Sequence, residues 1–176
     1  MSEERIELLR ASVREVLDFP KEGILFKDIT PMLASPKAFV TSLDLFAERW
    51  AGEHLDAIVG IESRGFIFGA ALAARMAVSF VPARKPGKLP WHTDRVEYEL
   101  EYGTDSLEMH QDALVAGQRV VVIDDLMATG GTAAAALELI GRRGAFPVGC
   151  GFVIELSFLE GRARLGDTPV YSLLTY

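Results

Sequence analysis

The stretch of this sequence best suited to chemistry is an apolar run that ends in two adjacent carboxylates, Asp124 and Asp125. A turn rich in glycine and threonine follows at once, and a helix-forming stretch begins after Thr132. The pattern predicts a buried strand, a loop and a helix N-terminus, where backbone N–H groups and the helix dipole converge on one point. This arrangement predicts an anion-binding site. Because the two acids would repel a bare phosphate, they favour a ligand with hydroxyl groups, or a magnesium ion, beside its phosphate.

A second turn of the same kind follows Ile61, where Glu62, Ser63 and Arg64 precede a stretch of small residues that begins at Gly65. Backbone N–H groups and an arginine at such a turn can bind a doubly charged anion. Taken alone, the pattern is more typical of a plain turn with a surface arginine.

The turn after Asp125 matches neither of two common phosphate-binding patterns. It lacks the Gly-Lys-Ser/Thr of a Walker A loop and the G-x-G-x-x-G of a dinucleotide-binding loop.

Three cations surround a Pro-Gly pair in the stretch Pro82–Pro90, which is unusual in a chain of net charge −7. Arg84, Lys85 and Lys88 could cover an anion, neutralise the charge of a leaving group and exclude water. A solvated basic loop is the competing interpretation. Farther along, Glu101 follows an alternating stretch and could act as a general acid–base group, although by spacing alone it is only an exposed glutamate at a strand end.

The elements that must position these residues alternate between helices and strands. Helices are predicted over 3–18, from Ser35–Pro36 to Gly52, over Gly65–Met76 and over 131–143, with Gly144 just past the last of them. Strands are predicted over Ala57–Ile61, Val78–Pro82, Val96–Tyr102, Leu107–His110, Arg119–Asp124, Phe146–Glu155 and Val170–Leu174, with a loop over Arg84–Arg95. This alternation predicts an α/β fold with a mostly parallel sheet, whose ligands bind beyond the carboxyl ends of the strands.

Composition sets further limits. With 176 residues and 49% hydrophobic residues, the chain is expected to form one domain with a full core. No basic block is present, which argues against a nucleic-acid-binding surface. Neither a secretory signal nor an apolar run of transmembrane length is visible, so a cytoplasmic location is expected. The single cysteine, Cys150, lies in an apolar segment and is predicted to be a buried thiol.

The Asp124–Thr132 stretch resembles the loop with which the type I phosphoribosyltransferases bind phosphoribosyl pyrophosphate (PRPP). The resemblance implies that the 5-phosphate is bound by the backbone and hydroxyl groups of Ala128, Thr129, Gly130, Gly131 and Thr132, and the ribose hydroxyls by Asp124 and Asp125. It implies that pyrophosphate is bound by Glu62, Ser63, Arg64, Arg84, Lys85 and Lys88, often with a non-proline cis peptide in the Glu62 loop. The implied fold is the type I phosphoribosyltransferase fold: a mostly parallel twisted sheet flanked by helices, a small N-terminal hood from about residues 1–34 and a flexible catalytic loop, all in one domain, 1–176.

Four further stretches, GILFKDITP, PARKPGKLP, LEYGTDSLEMHQDAL and the closing Glu155–Arg162, are similar to the adenine-specific branch of that family in order and approximate spacing. By itself, the aromatic stretch Phe19–Pro31 is more typical of a core-packing linker. The resemblance implies that the Leu25 carbonyl and the Lys27 amide read the adenine edge, with Phe26 and Leu126 lining the base pocket. Glu101 would lie near adenine N7, and Arg64, Arg84 and Lys88 would stabilise the leaving pyrophosphate.

The implied cofactor is Mg²⁺, held mostly by PRPP oxygens and water with Asp124 and Asp125 nearby, and the implied assembly is a homodimer without nucleic acid or membrane. Lys27 departs from the family pattern, in which many members carry arginine, and Trp91–His92 is not a recognised family pattern. Two alternatives remain open. One is a phosphoribosyltransferase for a 6-oxopurine or another base. The other is a non-catalytic PRPP sensor of the kind found in transcription regulators, although no basic helix-turn-helix precedes Ser35.

Overall fold

The computed structural model describes residues 3–99 and 103–176. Two compact units are present, residues 1–48 and 49–176. The elements in chain order are α1 Glu3–Ala11, β1 Arg14–Leu17, β2 Leu25–Asp28, α2 Thr30–Ala34, α3 Pro36–Trp50, β3 Ala57–Ile61, α4 Gly65–Met76, β4 Ser79–Ala83, β5 Thr93–Glu99, β6 Thr104–His110, β7 Arg119–Met127, α5 Gly131–Arg142, β8 Phe146–Glu155 and β9 Val170–Thr175, with two short 3₁₀ helices at Ser157–Leu159 and Gly161–Leu165.

The second unit is built on a parallel five-stranded sheet in the order β4-β3-β7-β8-β9. Its central strands are almost entirely buried because they are continuous apolar runs, as expected for a parallel sheet covered by helices. Helix α4 follows β3 and helix α5 follows β7, so each helix begins at the carboxyl end of a central strand. The predicted α/β class, these two helices and the burial of Cys150 are confirmed.

The single helix predicted over 3–18 is wrong. Helix α1 ends at Ala11, and Arg14–Leu17 forms strand β1, which pairs antiparallel with β2. The spacing of Val13 and Val16 is that of a helix, since residues three apart lie on opposite faces of a strand, but β-branched residues favour the extended conformation that β1 adopts. Strand β2 lies inside the aromatic stretch that the sequence presents as a linker.

Other element boundaries also differ from the predictions. Strand β7 continues to Met127, because Leu126 and Met127 still pair with Ile154 and Glu155 of β8. The predicted loop after Arg84 ends at Thr93, where strand β5 begins. Helix α2 and both 3₁₀ helices were not predicted. The antiparallel β5–β6 hairpin confirms the predicted β excursion between the fourth and seventh strands. None of the helices in the described ranges has the length and apolarity needed to cross a bilayer.

A hydrogen-bonded carboxylate, Asp28, joins the elements of the first unit. It accepts bonds from the Arg14 guanidinium at 2.6 Å and from the Thr30 N–H at 2.8 Å. The bond from the Thr30 N–H, followed by the Arg14 and Thr30 side-chain bonds, lowers the pKa of Asp28 from 3.8 to about 2. A lowered pKa contributes stability that is present above pH 3.8 and is lost as the pH falls through about 2.

We therefore expect Asp28→Asn to lower the free energy of unfolding at neutral pH by about 1–2 kcal/mol, allowing for screening of the exposed arginine. The difference from the unaltered protein should shrink as the pH falls from 3.8 toward 2. The effect is measured by urea unfolding, monitored by circular dichroism, from neutral pH down to about pH 2. Glu22→Gln, a charge removal at an exposed position of the same unit, is the control. A difference that stays constant with pH would contradict the assignment.

Candidate active site

The loop between β7 and α5 forms a small cavity. Its volume is about 140 Å³, and it is lined by Asp124, residues 126–133 and Phe152. Gly130 has a φ of 80°, which places its backbone in the left-handed region that favours glycine. Gly130 also begins the helix, because its carbonyl accepts the Ala134 N–H at 2.9 Å. The cavity therefore lies at the positive end of α5, beside the hydroxyl-bearing residues Thr129 and Thr132.

The acidic pair is fixed by different partners. The carboxylate of Asp125, which is 8% exposed, pairs with the Arg64 Nε at 2.5 Å. Asp124 Oδ1 accepts the Asp125 N–H at 2.8 Å. Burial, followed by the charge of Asp125, raises the pKa of Asp124 well above its ordinary value. The pair can thus hold a proton more readily than two separate surface acids.

Only glycine fits at the start of α4, beside the acidic pair. A Cβ on Gly65 would lie 2.7 Å from Asp124 Oδ1 and 2.8 Å from the Ile123 carbonyl oxygen, both closer than real contacts allow. The absence of a side chain lets the N-terminus of α4 approach the end of β7. This close approach brings the second predicted turn to the first.

The two turns share one cavity of about 280 Å³. It is lined by Ile61, Glu62, Ser63, Arg64, Lys85, Asp124, Asp125, Leu126 and Thr132. The Glu62–Ser63 peptide bond is cis, as the resemblance implied. The structure thus places Glu62 after β3 and Asp124 toward the carboxyl end of its parallel neighbour β7, so the two turns meet at one edge of the sheet.

Glu62 is surrounded by the cations of the basic loop. Its carboxylate accepts bonds from Arg84 Nε at 3.2 Å and from the Lys85 backbone N–H at 2.9 Å, and it lies 3.4 Å from Lys88 Nζ. Burial raises the pKa of Glu62, but the Lys85 and Arg84 hydrogen bonds and the nearby positive charges bring it below its ordinary value. Glu62 is thus an ionised carboxylate among the predicted pyrophosphate-binding residues.

The side chain of Lys85 points to different partners. Its ammonium binds the Asp105 carboxylate and the Tyr98 hydroxyl, the latter at 2.8 Å. Although burial lowers the pKa of Lys85, these bonds raise it above its ordinary value. Tyr98 and Asp105 are a register pair of the β5–β6 hairpin. Lys85 therefore connects the basic loop to the hairpin. Its partners Tyr98 and Asp105 come shortly before and shortly after residues 100–102 in the sequence. Glu101 lies outside the described residues.

The predicted base-reading residues Leu25, Phe26 and Lys27 occupy strand β2 of the first unit. Phe26 packs edge-on against Phe19, with ring centroids 5.0 Å apart, and Lys27 pairs with Glu15. A cavity of about 260 Å³ is lined by Val16, Phe19, Phe26 and Asp28. Leu126, the remaining predicted base-pocket residue, lies on β7 of the second unit.

Sequence reasoning missed three partners of the predicted site residues: Tyr98, Asp105 and Gly161. The first two lie on a strand pair whose alternation was visible, but their cross-strand pairing depends on a register that spacing alone does not give. Gly161 touches the Ala128–Thr132 loop from a distant part of the chain. Nothing local in the sequence indicates that contact.

Comparison with known proteins decides the family. The phosphoribosyl transferase domain model matches residues 41–167. Adenine phosphoribosyltransferase of Sorangium cellulosum is 58% identical over 99% of this chain and 90% of its own length. That of Anaeromyxobacter dehalogenans is 54% identical over 97% of this chain and 99% of its own. This chain belongs to the adenine phosphoribosyltransferase family.

Solved structures of adenine phosphoribosyltransferases share the fold. The enzyme from Thermoanaerobacter pseudethanolicus has a TM-score of 0.94 at 51% identity, covering 97% of this chain and 99% of that chain. The enzyme from Saccharomyces cerevisiae, in complex with an imino-altritol bisphosphate and adenine, has a TM-score of 0.93 at 43% identity, again covering 97% and 99%. The predicted type I phosphoribosyltransferase fold is therefore confirmed.

Proposed function

We propose that this enzyme transfers the 5-phosphoribosyl group of PRPP to N9 of adenine, giving AMP and pyrophosphate, as in purine salvage. The observation that carries the proposal is the shared cavity. Asp124, of the acidic pair suited to ribose hydroxyls, lines both the phosphate-sized cavity at the start of α5 and the shared cavity at the start of α4, which Arg64 and Lys85 also line. This order of groups matches the order of 5-phosphate, ribose and pyrophosphate along PRPP.

In this proposal Ala128–Thr132 bind the 5-phosphate through backbone N–H and threonine hydroxyl groups. Asp124 and Asp125 accept hydrogen bonds from the ribose 2- and 3-hydroxyls. The Arg64 guanidinium balances the charge of Asp125, and the raised pKa of Asp124 reduces the repulsion between this pair and the PRPP phosphates.

As adenine N9 attacks C1 of the ribose, negative charge grows on the departing pyrophosphate. Arg64, Arg84 and Lys88 stabilise that charge electrostatically. Ser63 and Lys85, which also line the shared cavity, complete the pyrophosphate-binding site. Glu62 holds Arg84 and Lys88 close together through its ion pairs. The cations are thus gathered in place before the charge develops.

Adenine recognition is assigned to strand β2. The Leu25 carbonyl and the Lys27 N–H read the base edge, while Phe26 and Leu126 line the base pocket. Because the backbone does the reading, lysine at position 27 serves as well as the arginine of many relatives. Glu101 moves the proton at adenine N7 as a general acid–base group.

Two adjacent carboxylates suit Mg²⁺, which prefers oxygen ligands and keeps several of its waters. Within the described ranges no group of three or more acidic, histidine or cysteine side chains could hold a metal by itself. These observations fit an ion held mainly by PRPP oxygens and water, with Asp124 and Asp125 as its nearest protein groups. When bound, Mg²⁺ would polarise the phosphate oxygens and neutralise pyrophosphate charge.

We also infer a homodimer in the cytoplasm, with adenine and PRPP as the small-molecule partners and neither nucleic acid nor membrane. The proposal of a dimer rests on the family, whose members are generally homodimers. A lone buried cysteine, Cys150, accords with a reducing compartment.

The test is an activity assay. Purified protein, PRPP and magnesium are combined in turn with adenine, hypoxanthine, guanine and orotate, and nucleotide formation is followed. We expect AMP from adenine and no product from the other bases. Turnover with another base would overturn the assignment of β2 as an adenine-reading strand. PRPP binding without turnover of any base would favour a PRPP sensor.

Arg84→Met should lower kcat about tenfold, because one charge-assisted hydrogen bond to the leaving group is lost while Arg64 and Lys88 still share its charge. Steady-state kinetics at saturating adenine and PRPP measures this. Arg95→Met removes an equally charged side chain from the hairpin, where Arg95 pairs with Glu97 and does not line the shared cavity, and should leave kcat unchanged. An undiminished kcat in Arg84→Met would refute the role of Arg84.

A further inference from the structure

The 5-phosphate loop is in direct backbone contact with a segment that the reaction does not otherwise use. A Cβ on Gly161 would collide with the Ala128 carbonyl oxygen and lie 3.0 Å from the Gly130 nitrogen. In the other direction, a Cβ on Gly130 would collide with the Gly161 carbonyl oxygen. Both residues are buried. Residues 156–165, here called the buttress segment, therefore support the loop from the side where Gly130 and Gly161 meet.

The buttress segment is held by a strong ion pair. Arg162, the neighbour of Gly161, donates from Nε and Nη2 to the two Glu155 carboxylate oxygens, each at 2.6 Å. Glu155 is only 4% exposed and also accepts the Ser172 hydroxyl at 2.5 Å. The Arg162 hydrogen bond, more than any other contact, lowers the pKa of Glu155. Two parallel bonds from a planar guanidinium fix direction as well as distance, so the position of Gly161 is defined by this pair.

The same segment is joined to the acidic end of β7. The Leu156 N–H donates to the Met127 carbonyl at 3.0 Å, one residue before the loop begins. The Ser157 N–H donates to the carbonyl of the final residue, Tyr176, at 2.9 Å. The loop is thus fixed at its start by Met127 and at its middle by Gly161, and the segment that fixes it is attached to β8 and β9.

We propose that Gly161 is a positioning residue for the 5-phosphate loop, and that the Arg162–Glu155 pair holds it in place. The loop binds phosphate with N–H groups whose directions depend on the path of its backbone, and a displacement of about 1 Å is enough to weaken such binding. Gly161 limits that path because no atom can be added on either side of the contact. The inference rests on the proposed function, since it takes the loop's ligand to be the PRPP 5-phosphate.

Gly161→Ala tests this directly. We expect the Kd of PRPP, measured by calorimetry without adenine, and the PRPP KM to rise about tenfold or more, with the adenine KM within about twofold of normal. Gly141→Ala is the matched control, because a Cβ there meets nothing within 4 Å, and it should leave PRPP binding unchanged. Partial misfolding would behave differently: it lowers the apparent kcat and leaves both KM values unchanged.

Arg162→Met is a second variant that adds no atom to the contact. It should also raise the Kd of PRPP, and Arg162→Lys should restore only part of the affinity because an ammonium cannot make two parallel bonds. If Gly161→Ala does not fold, these two variants decide. Wild-type PRPP affinity in Arg162→Met, or in folded Gly161→Ala, would overturn the inference. If the unaltered protein binds PRPP but does not convert adenine, the proposed function fails while the binding comparison still decides the role of Gly161.

Discussion

A chain carrying both Asp124→Asn and Asp125→Asn is expected to bind PRPP about a hundredfold more weakly than the unaltered protein. Each side chain is assigned a hydrogen bond from a ribose hydroxyl, which contributes about 1.5–3 kcal/mol at Asp125 and about 0.5–1.5 kcal/mol at Asp124, whose raised pKa favours the neutral form. The two bonds together give about 2–4.5 kcal/mol, and every 1.4 kcal/mol is a factor of about ten. The change also removes the charge that pairs with Arg64.

Asparagine keeps the shape of aspartate, so the close contact between Asp124 and Gly65 is retained and the fold should persist. Calorimetric titration with PRPP, without adenine, measures the loss. Asp167→Asn, a charge removal at an exposed position of the same unit, should bind PRPP normally. A double variant with a Kd within about threefold of normal would refute the ribose-binding assignment, because that change is less than the value of one such bond.

The second large effect is expected from Glu101→Gln, which should lower kcat about a hundredfold or more while changing the PRPP KM only slightly. A positioned general acid–base group contributes about 10²–10⁴ to a rate, and glutamine retains the size of the side chain but cannot exchange a proton. A loss seen in kcat and not in KM indicates an interaction made mainly in the transition state.

The described part of the hairpin is attached to the proposed pyrophosphate site. Lys85, whose backbone N–H binds Glu62 in the proposed pyrophosphate site, holds Tyr98 and Asp105 on either side of residues 100–102. Glu97→Gln is the matched control, since Glu97 lies on the same hairpin and its side chain is 71% exposed. Steady-state kinetics of both variants over a range of pH distinguishes them. Equal kcat values in the two variants would exclude Glu101 as the proton-transfer group.

Much of the second unit could be predicted from sequence because its signals are local. Each central strand is a continuous apolar run, and each turn that follows carries its own polar residues, as at Glu62 and Asp124. One topological rule, that parallel strands end at the same edge, then places the two turns together. The first unit was harder because Val13 and Val16 have the spacing of a helix, although valine itself favours a strand. Val16 pairs with Phe26, ten residues farther along the chain.

The contacts that position the site could not be predicted for a different reason. The Gly130–Gly161 contact and the Lys85–Asp105 pair each join residues that are distant in sequence. No sequence pattern predicts either contact. Such contacts depend on the register of strands and on the path of the chain after β8. The sequence therefore indicates the candidate site residues, but not the distant contacts that hold them in position.

Glu62 has a consequence for which anions the site accepts. Any anion that binds Arg84 and Lys88 must compete with a carboxylate that is tethered beside them and therefore acts at a high effective concentration. A singly charged ion such as chloride or acetate offers no more charge than this built-in counterion and must also lose its freedom of motion on binding. Pyrophosphate, with several charges and several acceptor oxygens, can outcompete it. We therefore expect the proposed pyrophosphate site to discriminate against small monovalent anions by internal competition, without a pocket shaped to exclude them.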